Sequence, residues 1–454
     1  ASGKTIKFKA RLCAKGFSQR EGIDYFETFA PVAKYTSFRY ILALTAEMDL
    51  HLTQMDAVSA FLNGPLNEDV YMEQPPNFED KSNRVCKLKK SIYGLKQSGR
   101  NWNQLLNQTL IDFGLKRCLS DQCIYVARNS GNIMIVMVWV DDVLIACNQK
   151  CEEEKLRAAL ESRFKMKYLG DAKVILGIQI TRDRMKKTVS IDQRRYIETV
   201  LERFGMEDCN PANTPMDVNT KYSRKMSGND EKNEIFPYRE AIGSLLFAAQ
   251  VTRPDIIFSV ILLSRYCEEP KWAHWIATKR IMRYLKGTID HKLTYGPSRT
   301  DIIGYSDADY GGDIDDRKST SGYVFVKNGT ALCWQSKKQK VVAQSTTEAE
   351  FISLSFATKE AIWLHALCNE ITGKPNLPYQ IYCDNKGAID LARNNNHSEQ
   401  TKHVDIKFKL VHDEIVNNRM LLTHVSTEKM LADVLTKSLS REKHQNCING
   451  FGLK

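Results

Sequence analysis

Ile133-Met-Ile-Val-Met-Val-Trp-Val140, followed at once by Asp141-Asp142 and then by Val143-Leu-Ile-Ala146, is the stretch that decides the fold. The apolar run is far short of the roughly 20 residues that cross a bilayer. It breaks at two aspartates, so it predicts two buried strands joined by a tight turn that carries both acids. Adjacent carboxylates beside such strands are costly to hold unless a cation neutralises them. A plain Asp-Asp hairpin turn would satisfy the same local pattern, so the surrounding sequence has to separate the two readings.

Upstream, Gln54-Met-Asp56-Ala-Val-Ser-Ala-Phe61-Leu-Asn-Gly64 ends a short apolar strand on a third acid, with an aromatic side chain close behind it. Three acids on strand ends are an oxygen-only ligand set, which suits magnesium. Phosphoryl transfer to a hydroxyl is the chemistry that needs a pair of such ions.

The last third carries acids at a second set of converging places. From Asp301 the pattern predicts strand, strand, strand, helix, strand, helix, strand, helix. Asn328-Gly329 serves as a two-residue hairpin turn between Tyr323–Val326 and Ala331–Trp334. Asp307 follows Ile303 and Tyr305 on one face of the first strand by period-two alternation. Glu350 lies on the sheet-facing side of a helix reaching to Ile371, in phase with Leu354, Ala357, Ala361, Leu364 and Cys368. Asp384 ends the strand Gln380–Cys383, and Asp433 is expected in the first turns of the last helix. Asp309 competes with Asp307 for its place, and Glu348 with Glu350.

Between these ends lie a mixed α+β stretch, Lys7 to about Ile180, and a helical stretch, about Ser190 to Gly287. A polar loop, Asn210 to Asn233, interrupts the second. A net charge of +11 favours an anionic partner without proving one. Lys279, Arg280, Arg283 and Lys286 would suit a phosphate backbone or simply a solvated helix face, whereas Trp272, Trp275 and Tyr284 read as core. The 12 cysteines show no C-x-x-C pair and no zinc spacing, so they read as reduced thiols of an intracellular protein. No targeting or membrane segment is visible, and a start at Ala1 without Met has the look of a processed piece or a fragment.

Further runs make the pattern specific. They are Lys9-Ala-Arg11-Leu, Ile23-Asp-Tyr25, Glu27-Thr-Phe-Ala-Pro-Val32, Val70-Tyr-Met-Glu-Gln-Pro75, Ile92-Tyr-Gly-Leu-Lys-Gln97 and Leu176-Gly177-Ile. In the second half come Thr252-Arg-Pro-Asp255, Tyr305-Ser-Asp-Ala-Asp309, Ser345-Thr-Thr-Glu-Ala-Glu350, Asp384-Asn-Lys-Gly387 and Lys402-His-Val-Asp-Ile-Lys407. In order and over almost the whole chain, this resembles the copia family of LTR retrotransposons, in the reverse transcriptase and RNase H portion of the Pol polyprotein.

The resemblance implies an α+β right-hand polymerase with palm, partial fingers and helical thumb and connection, followed by an RNase H-like α/β domain. The expected boundaries are 1–182 for fingers and palm, 183–299 for thumb and connection, and 300–454 for the nuclease. It implies that Asp56 and Asp141 are metal ligands with Asp142 beside them, and that Phe61 is a steric gate against a 2′ hydroxyl. Arg11, with Lys9 as its rival, would grip the triphosphate; Tyr93, Gly94 and Lys96 would line the incoming nucleotide; Leu176 and Gly177 would form the primer grip. Asp307, Glu350, Asp384 and Asp433 would hold the nuclease metals. Each site would take two Mg2+, with Mn2+ as a substitute.

The implied partners are RNA template, DNA, RNA/DNA hybrid and deoxynucleoside triphosphates, with protease and integrase segments upstream in a parent polyprotein and no membrane. The implied location is cytoplasmic, in virus-like particles, and nuclear. Departures are Trp139, where the family usually has Tyr, a missing stretch of N-terminal fingers, and the lack of a histidine in the loop Val425–Lys429; His403 is given a structural or substrate-contact role. The rival functions are a decayed or host-adopted copy that binds nucleic acid without polymerising, and a nuclease acting alone.

Overall fold

Asn132–Trp139 and Asp142–Cys147 form the expected antiparallel hairpin, with Trp139 opposite Asp142 and only Val140 and Asp141 in the turn. In the computed structural model, which describes residues 10–129, 131–226, 236–374, 378–394 and 405–454, this hairpin is the centre of the first of two compact units. That unit comprises Ala1–Phe38 and Leu50–Ala172; the second comprises Arg39–Asp49 and Lys173–Lys454.

The first unit is built on a six-stranded sheet ordered Lys116–Arg117, Ile124–Asn129, Asn132–Trp139, Asp142–Cys147, His51–Ala57, Met166–Asp171, with every neighbouring pair antiparallel. Met134, Val136, Val138, Val143, Ile145 and Met55 alternate along three strands and share one core with Trp102, Leu106 and Leu110 of the helix Ser98–Asp112 and Leu156 and Leu160 of the helix Lys150–Arg163. The intervening Ile135, Met137, Leu144 and Ala146 are buried as well. That double burial is why the sequence reads as continuously apolar rather than alternating.

The second unit holds two sheets. A four-stranded antiparallel sheet is ordered Leu293–Tyr295, Thr188–Asp192, Ile178–Asp183, Val174–Ile175. The helices Arg194–Arg203, Tyr238–Val251, Ile257–Ser264 and Trp272–Gly287 make up the helical stretch. The polar loop is irregular over its described part, 210–226. Arg280 Nε reaches the Thr214 carbonyl at 3.3 Å and Arg283 Nε the Asn210 carbonyl at 2.7 Å, so these two cations brace the loop from the helix.

The five-stranded sheet is ordered Thr330–Lys338, Thr320–Lys327, Ile303–Ala308, Tyr379–Cys383, Met420–His424; the first three strands run antiparallel and the last two parallel to Ile303–Ala308 and to each other. Asn328 and Gly329 both take positive φ, 56° and 72°, as a two-residue hairpin turn whose twist matches its strands requires. The 27-residue helix Thr346–Thr372 packs on this sheet with Leu354, Ala357, Ala361, Leu364 and Cys368 buried, and stacks Phe351 on Phe408 of the helix Asp405–Val416. Ser345 Oγ caps its start by accepting from Glu348 N, and Gly373 at φ 72° closes its end.

Three expectations need correction. Trp272 is not core: it is 37% exposed, with the Lys279 ammonium over its ring. Asp433 is not in the last helix: it sits on a short 3-10 helix, Leu431–Leu435, ahead of the α-helix Arg441–Gly450. Among the described residues, the segment between the last two strands holds two helices, Lys386–Arg393 and Asp405–Val416, rather than one. Lys9 and His403 lie outside the described residues. Among the described residues no helix is long and apolar enough to cross a membrane.

Candidate active sites

In the first unit, strand pairing does the positioning. His51–Ala57 runs antiparallel to Asp142–Cys147 with Asp56 opposite Asp142, and Ala57 N donates to the Asp141 carbonyl at 2.9 Å. The sheet thus brings Asp56, Asp141 and Asp142 to one strand end. Burial pushes the Asp142 carboxyl up; a hydrogen bond from Gln54 Nε2, at 2.8 Å, opposes this, and the charges of Asp141 and Asp56 add to it. Gln54 lies two residues before Asp56 and therefore on the same strand face.

The turn itself is strained. Val140 holds φ 57°, a region that β-branched residues rarely enter. Its carbonyl accepts from Trp102 Nε1 at 2.6 Å, which ties the turn to the helix beneath. The Trp139 ring rests on Tyr35, with centroids 5.1 Å apart.

A row of side chains gathers around Tyr93. Phe61, on the 3-10 helix Ala60–Asn63, has its ring centroid 5.1 Å from that of Tyr93, and the Arg11 guanidinium carbon lies 5.4 Å from the Tyr93 centroid. Gly94, at φ 93°, lets two backbones cross: a Cβ there would stand 2.1 Å from the Ala14 carbonyl oxygen, and Ala14 N donates to the Tyr93 carbonyl at 2.7 Å. Lys96 turns to Tyr25, its Nζ 3.0 Å from the Tyr25 hydroxyl. Leu176 and Gly177 form the two-residue turn between Val174–Ile175 and Ile178–Asp183, both at positive φ, and belong to the second unit.

In the second unit Asp307, Asp384 and Asp433 each offer a carboxylate oxygen within 4.8 Å of the others; Glu350 joins the neighbouring group with Asp384 and Cys383. Asp307 and Asp433 are 1% and 0% exposed, so these are deeply buried acids. Ser353 Oγ donates to the Asp307 carbonyl at 2.7 Å and fixes the strand to the long helix. Burial raises Asp307 well above the carboxylate range; Lys437 opposes this and Asp433 reinforces it. Burial also raises Glu350, with Asp307 and Asp384 adding to it, and its Oε2 has no hydrogen-bond partner.

The competing acids have other partners. Glu348 Oε2 accepts from Gln344 N at 2.7 Å and completes the helix cap. Asp309 Oδ1 accepts from Thr320 N, at the start of the next strand.

The profile of the reverse transcriptase (RNA-dependent DNA polymerase) family matches residues 1–218. A retrovirus-related Pol polyprotein from transposon TNT 1-94 of Nicotiana tabacum is 43% identical over 457 residues, 99% of this chain and 34% of that protein. The transposon Ty5-1 protein of Saccharomyces cerevisiae is 33% identical over 310 residues, 67% of this chain and all of that protein. This chain belongs to the retrotransposon Pol polyprotein family, in its reverse transcriptase portion.

The foamy viral protease–reverse transcriptase solved with dsDNA is 13% identical with a TM-score of 0.42, over 85% of this chain and 70% of that one. This Pol polyprotein portion spans about a third of the length of the first transposon polyproteins it matches.

Several groups in this Pol portion escaped sequence reasoning. Lys437 Nζ lies 2.8 Å from Asp433 Oδ1 and 3.5 Å from Asp307 Oδ2, Lys443 pairs with Asp433 Oδ2, and Thr436 Oγ1 donates to Asp307 Oδ2. Burial alone would lower the Lys437 ammonium, but Asp307 and Asp433 more than offset it and raise it above the ordinary lysine range. The loop that lacks a histidine contributes Thr427 instead, whose Oγ1 donates to Asp384 Oδ2 at 2.8 Å; His424 is exposed at the end of its strand. A signal for Lys437 existed: it stands four residues after Asp433, the spacing of a helical ion pair.

Proposed function

We propose that this chain is the RNA-directed DNA polymerase and ribonuclease H of a copia-type retrotransposon. It would copy element RNA into DNA at Asp56, Asp141 and Asp142, and cleave the RNA strand of the hybrid at Asp307, Glu350, Asp384 and Asp433. What supports this most is the presence of two acid clusters, each assembled within a different compact unit. Residues 1–182 would be fingers and palm, 183–299 thumb and connection, and 300–454 the nuclease.

The donor sets fit divalent magnesium or manganese. They consist of oxygen atoms, and in the second cluster a buried Glu350 oxygen lacks a partner among buried, mutually repelling carboxylates. Asp56 and Asp141 would hold the ions at the first site, and the four later acids at the second. When bound, the ions supply charge stabilisation to the attacking and leaving oxygens.

The chain's own residues would do the rest. Phe61, propped on Tyr93, would press on the sugar and exclude a 2′ hydroxyl, and Arg11 would pair with the triphosphate. Tyr93, Gly94 and Lys96 would line the nucleotide, with Gly94 letting the Ala14 backbone cross beside Tyr93. Gln54 orients the Asp142 carboxylate. Leu176 and Gly177 would grip the primer. At the second site Thr427 orients Asp384, and Thr436 orients Asp307.

Primer extension on an RNA template, run beside cleavage of a labelled RNA/DNA hybrid, tests the proposal. Asp141→Asn is expected to abolish extension and spare cleavage, and Asp384→Asn to do the reverse. Loss of both activities in either folded variant contradicts two independent sites. A wild-type chain with neither activity is a binding relic, and one that only cleaves is a nuclease.

A further inference from the structure

We propose that Cys383, together with Glu350 and Asp384 of the nuclease cluster, forms a site for a thiophilic divalent cation of the zinc class. Cys383 ends the strand Tyr379–Cys383 and is fully buried. Its Sγ, a Glu350 carboxylate oxygen and an Asp384 carboxylate oxygen all lie within 4.8 Å of one another. Among the described residues, Cys383 is the one cysteine in such a group.

The second observation that points to a ligand is Glu350 itself. It is 7% exposed, and its Oε2 has no hydrogen-bond partner. A buried carboxylate oxygen that accepts from no donor is costly, and a bound cation would offset that cost. The thiol has only a weak contact of its own, 3.8 Å to the Asn385 carbonyl. Asp384 is partly exposed, which leaves the cluster an entrance, and Thr427 holds one of its two oxygens in place.

Ligand softness then selects the ion. Magnesium takes oxygen donors in near-ideal octahedra and gains nothing from sulfur. Zinc binds thiolate at about 2.3 Å and carboxylate at about 2.0–2.2 Å, in a tetrahedron that three protein ligands leave open at one corner. Ligand atoms in such a tetrahedron stand about 3.5 Å apart, a contraction that rotation of the long Glu350 side chain can supply. On binding, the S–H bond breaks, its proton leaves to solvent and the sulfur lone pair goes to the metal; nothing is oxidised or reduced.

Asp384 belongs to this mixed group and also to the group with Asp307 and Asp433. Glu350 is shared in the same way under the ribonuclease reading, so an ion held by Cys383 withdraws two oxygen ligands from the other cluster. Resting on the ribonuclease reading above, this makes zinc an antagonist of magnesium-dependent cleavage.

The probe is cobalt(II), followed by zinc, added to the whole chain. A sulfur-to-cobalt charge-transfer band is expected in the wild type and is expected to vanish in Cys383→Ser and Cys383→Ala. Zinc binding by those variants should weaken on the order of a hundredfold while manganese binding is retained. X-ray absorption of the zinc-loaded wild type, which needs no variant, should find one sulfur among the ligands.

No band, a band that persists without Cys383, or a zinc shell with no sulfur or with several overturns the site. Manganese binding alone, with no cobalt band, removes the zinc site but leaves the ribonuclease reading standing. Binding with the band, but no antagonism of cleavage, removes only the shared-ligand consequence.

Discussion

The Lys437 ammonium stands 2.8 Å from the Asp433 carboxylate, so the buried acid cluster carries its own cation. Lys437→Gln removes that cation and leaves Asp307 and Asp433 closer to mutual repulsion. The metal-free protein is expected to lose about 1–3 kcal/mol, and the rise in Tm on adding magnesium to grow. Lys437→Arg should behave like the wild type. A Gln variant with unchanged melting and an unchanged response to magnesium would refute this account.

Asp309 gives a pH-dependent prediction with a definite sign. Burial pushes its carboxyl up to about 6 from an ordinary value of 3.8, against the opposing Thr320 amide and the Arg265 charge. A folded-state value above the unfolded one gives stability that is complete below about 4 and lost as the pH rises through about 6. Asn at this position can still accept from Thr320 but never carries the charge. Asp309→Asn should therefore gain on the wild type by a margin of order 2 kcal/mol between pH 4 and 7. Parallel Tm profiles for the two proteins would be the contrary result.

Two glycines with similar backbone angles should respond differently to alanine. Gly94 and Gly22 have φ 93° and 79°, but a Cβ at Gly94 meets the Ala14 carbonyl oxygen, whereas one at Gly22 meets nothing within 4 Å. Gly22→Ala is expected to cost about 1 kcal/mol of backbone strain. Gly94→Ala should cost several times as much, since two backbones must separate, and raise the KM for nucleotide. Equal denaturation midpoints would show that the crossing at Gly94 is not tight in solution.

The Thr252-Arg-Pro-Asp255 motif turns out to be a buried ion pair. Arg253 Nη2 lies 2.7 Å from Asp255 Oδ2, both side chains are at most 1% exposed, and the Tyr284 hydroxyl donates to the same oxygen at 2.7 Å. Breaking the pair from one side strands a charge, so Arg253→Met or Asp255→Asn should each cost about 3–5 kcal/mol. The double change Arg253→Met with Asp255→Leu should recover part of that loss in urea titration. A double variant no better than the worse single one would mean that the pair's geometry, rather than its charge, matters.

Features set by local pattern were legible. The Asn328-Gly329 turn, the hairpin Asn132–Trp139 with Asp142–Cys147 and the apolar stripe of Thr346–Thr372 all follow from periodicity and turn chemistry. Which partner a side chain meets was not legible. Gln54 on Asp142, Thr427 on Asp384 and Thr436 on Asp307 join residues far apart in sequence, and no period reports them. The 3-10 turn at Asp433 escaped because five residues are too few to separate a three-residue from a 3.6-residue repeat. Arg280 and Arg283 looked like solvated or phosphate-binding cations because the carbonyls they hold belong to an irregular loop.

The helix Tyr35–Glu47 has a consequence for how the molecule is made. Its residues from Arg39 onward belong to the second unit, and Arg39 Nε donates to the Leu332 carbonyl, 293 positions later in the chain. Its guanidinium lies 4.0 Å from the Trp334 ring centroid, and Glu47 pairs with Lys327 at 2.9 Å. During synthesis, then, the ribosome delivers an apolar helix long before anything exists for it to rest on. Contacts of such separation form slowly and leave greasy surface open meanwhile, so a nascent chain of this kind is a natural client for chaperones.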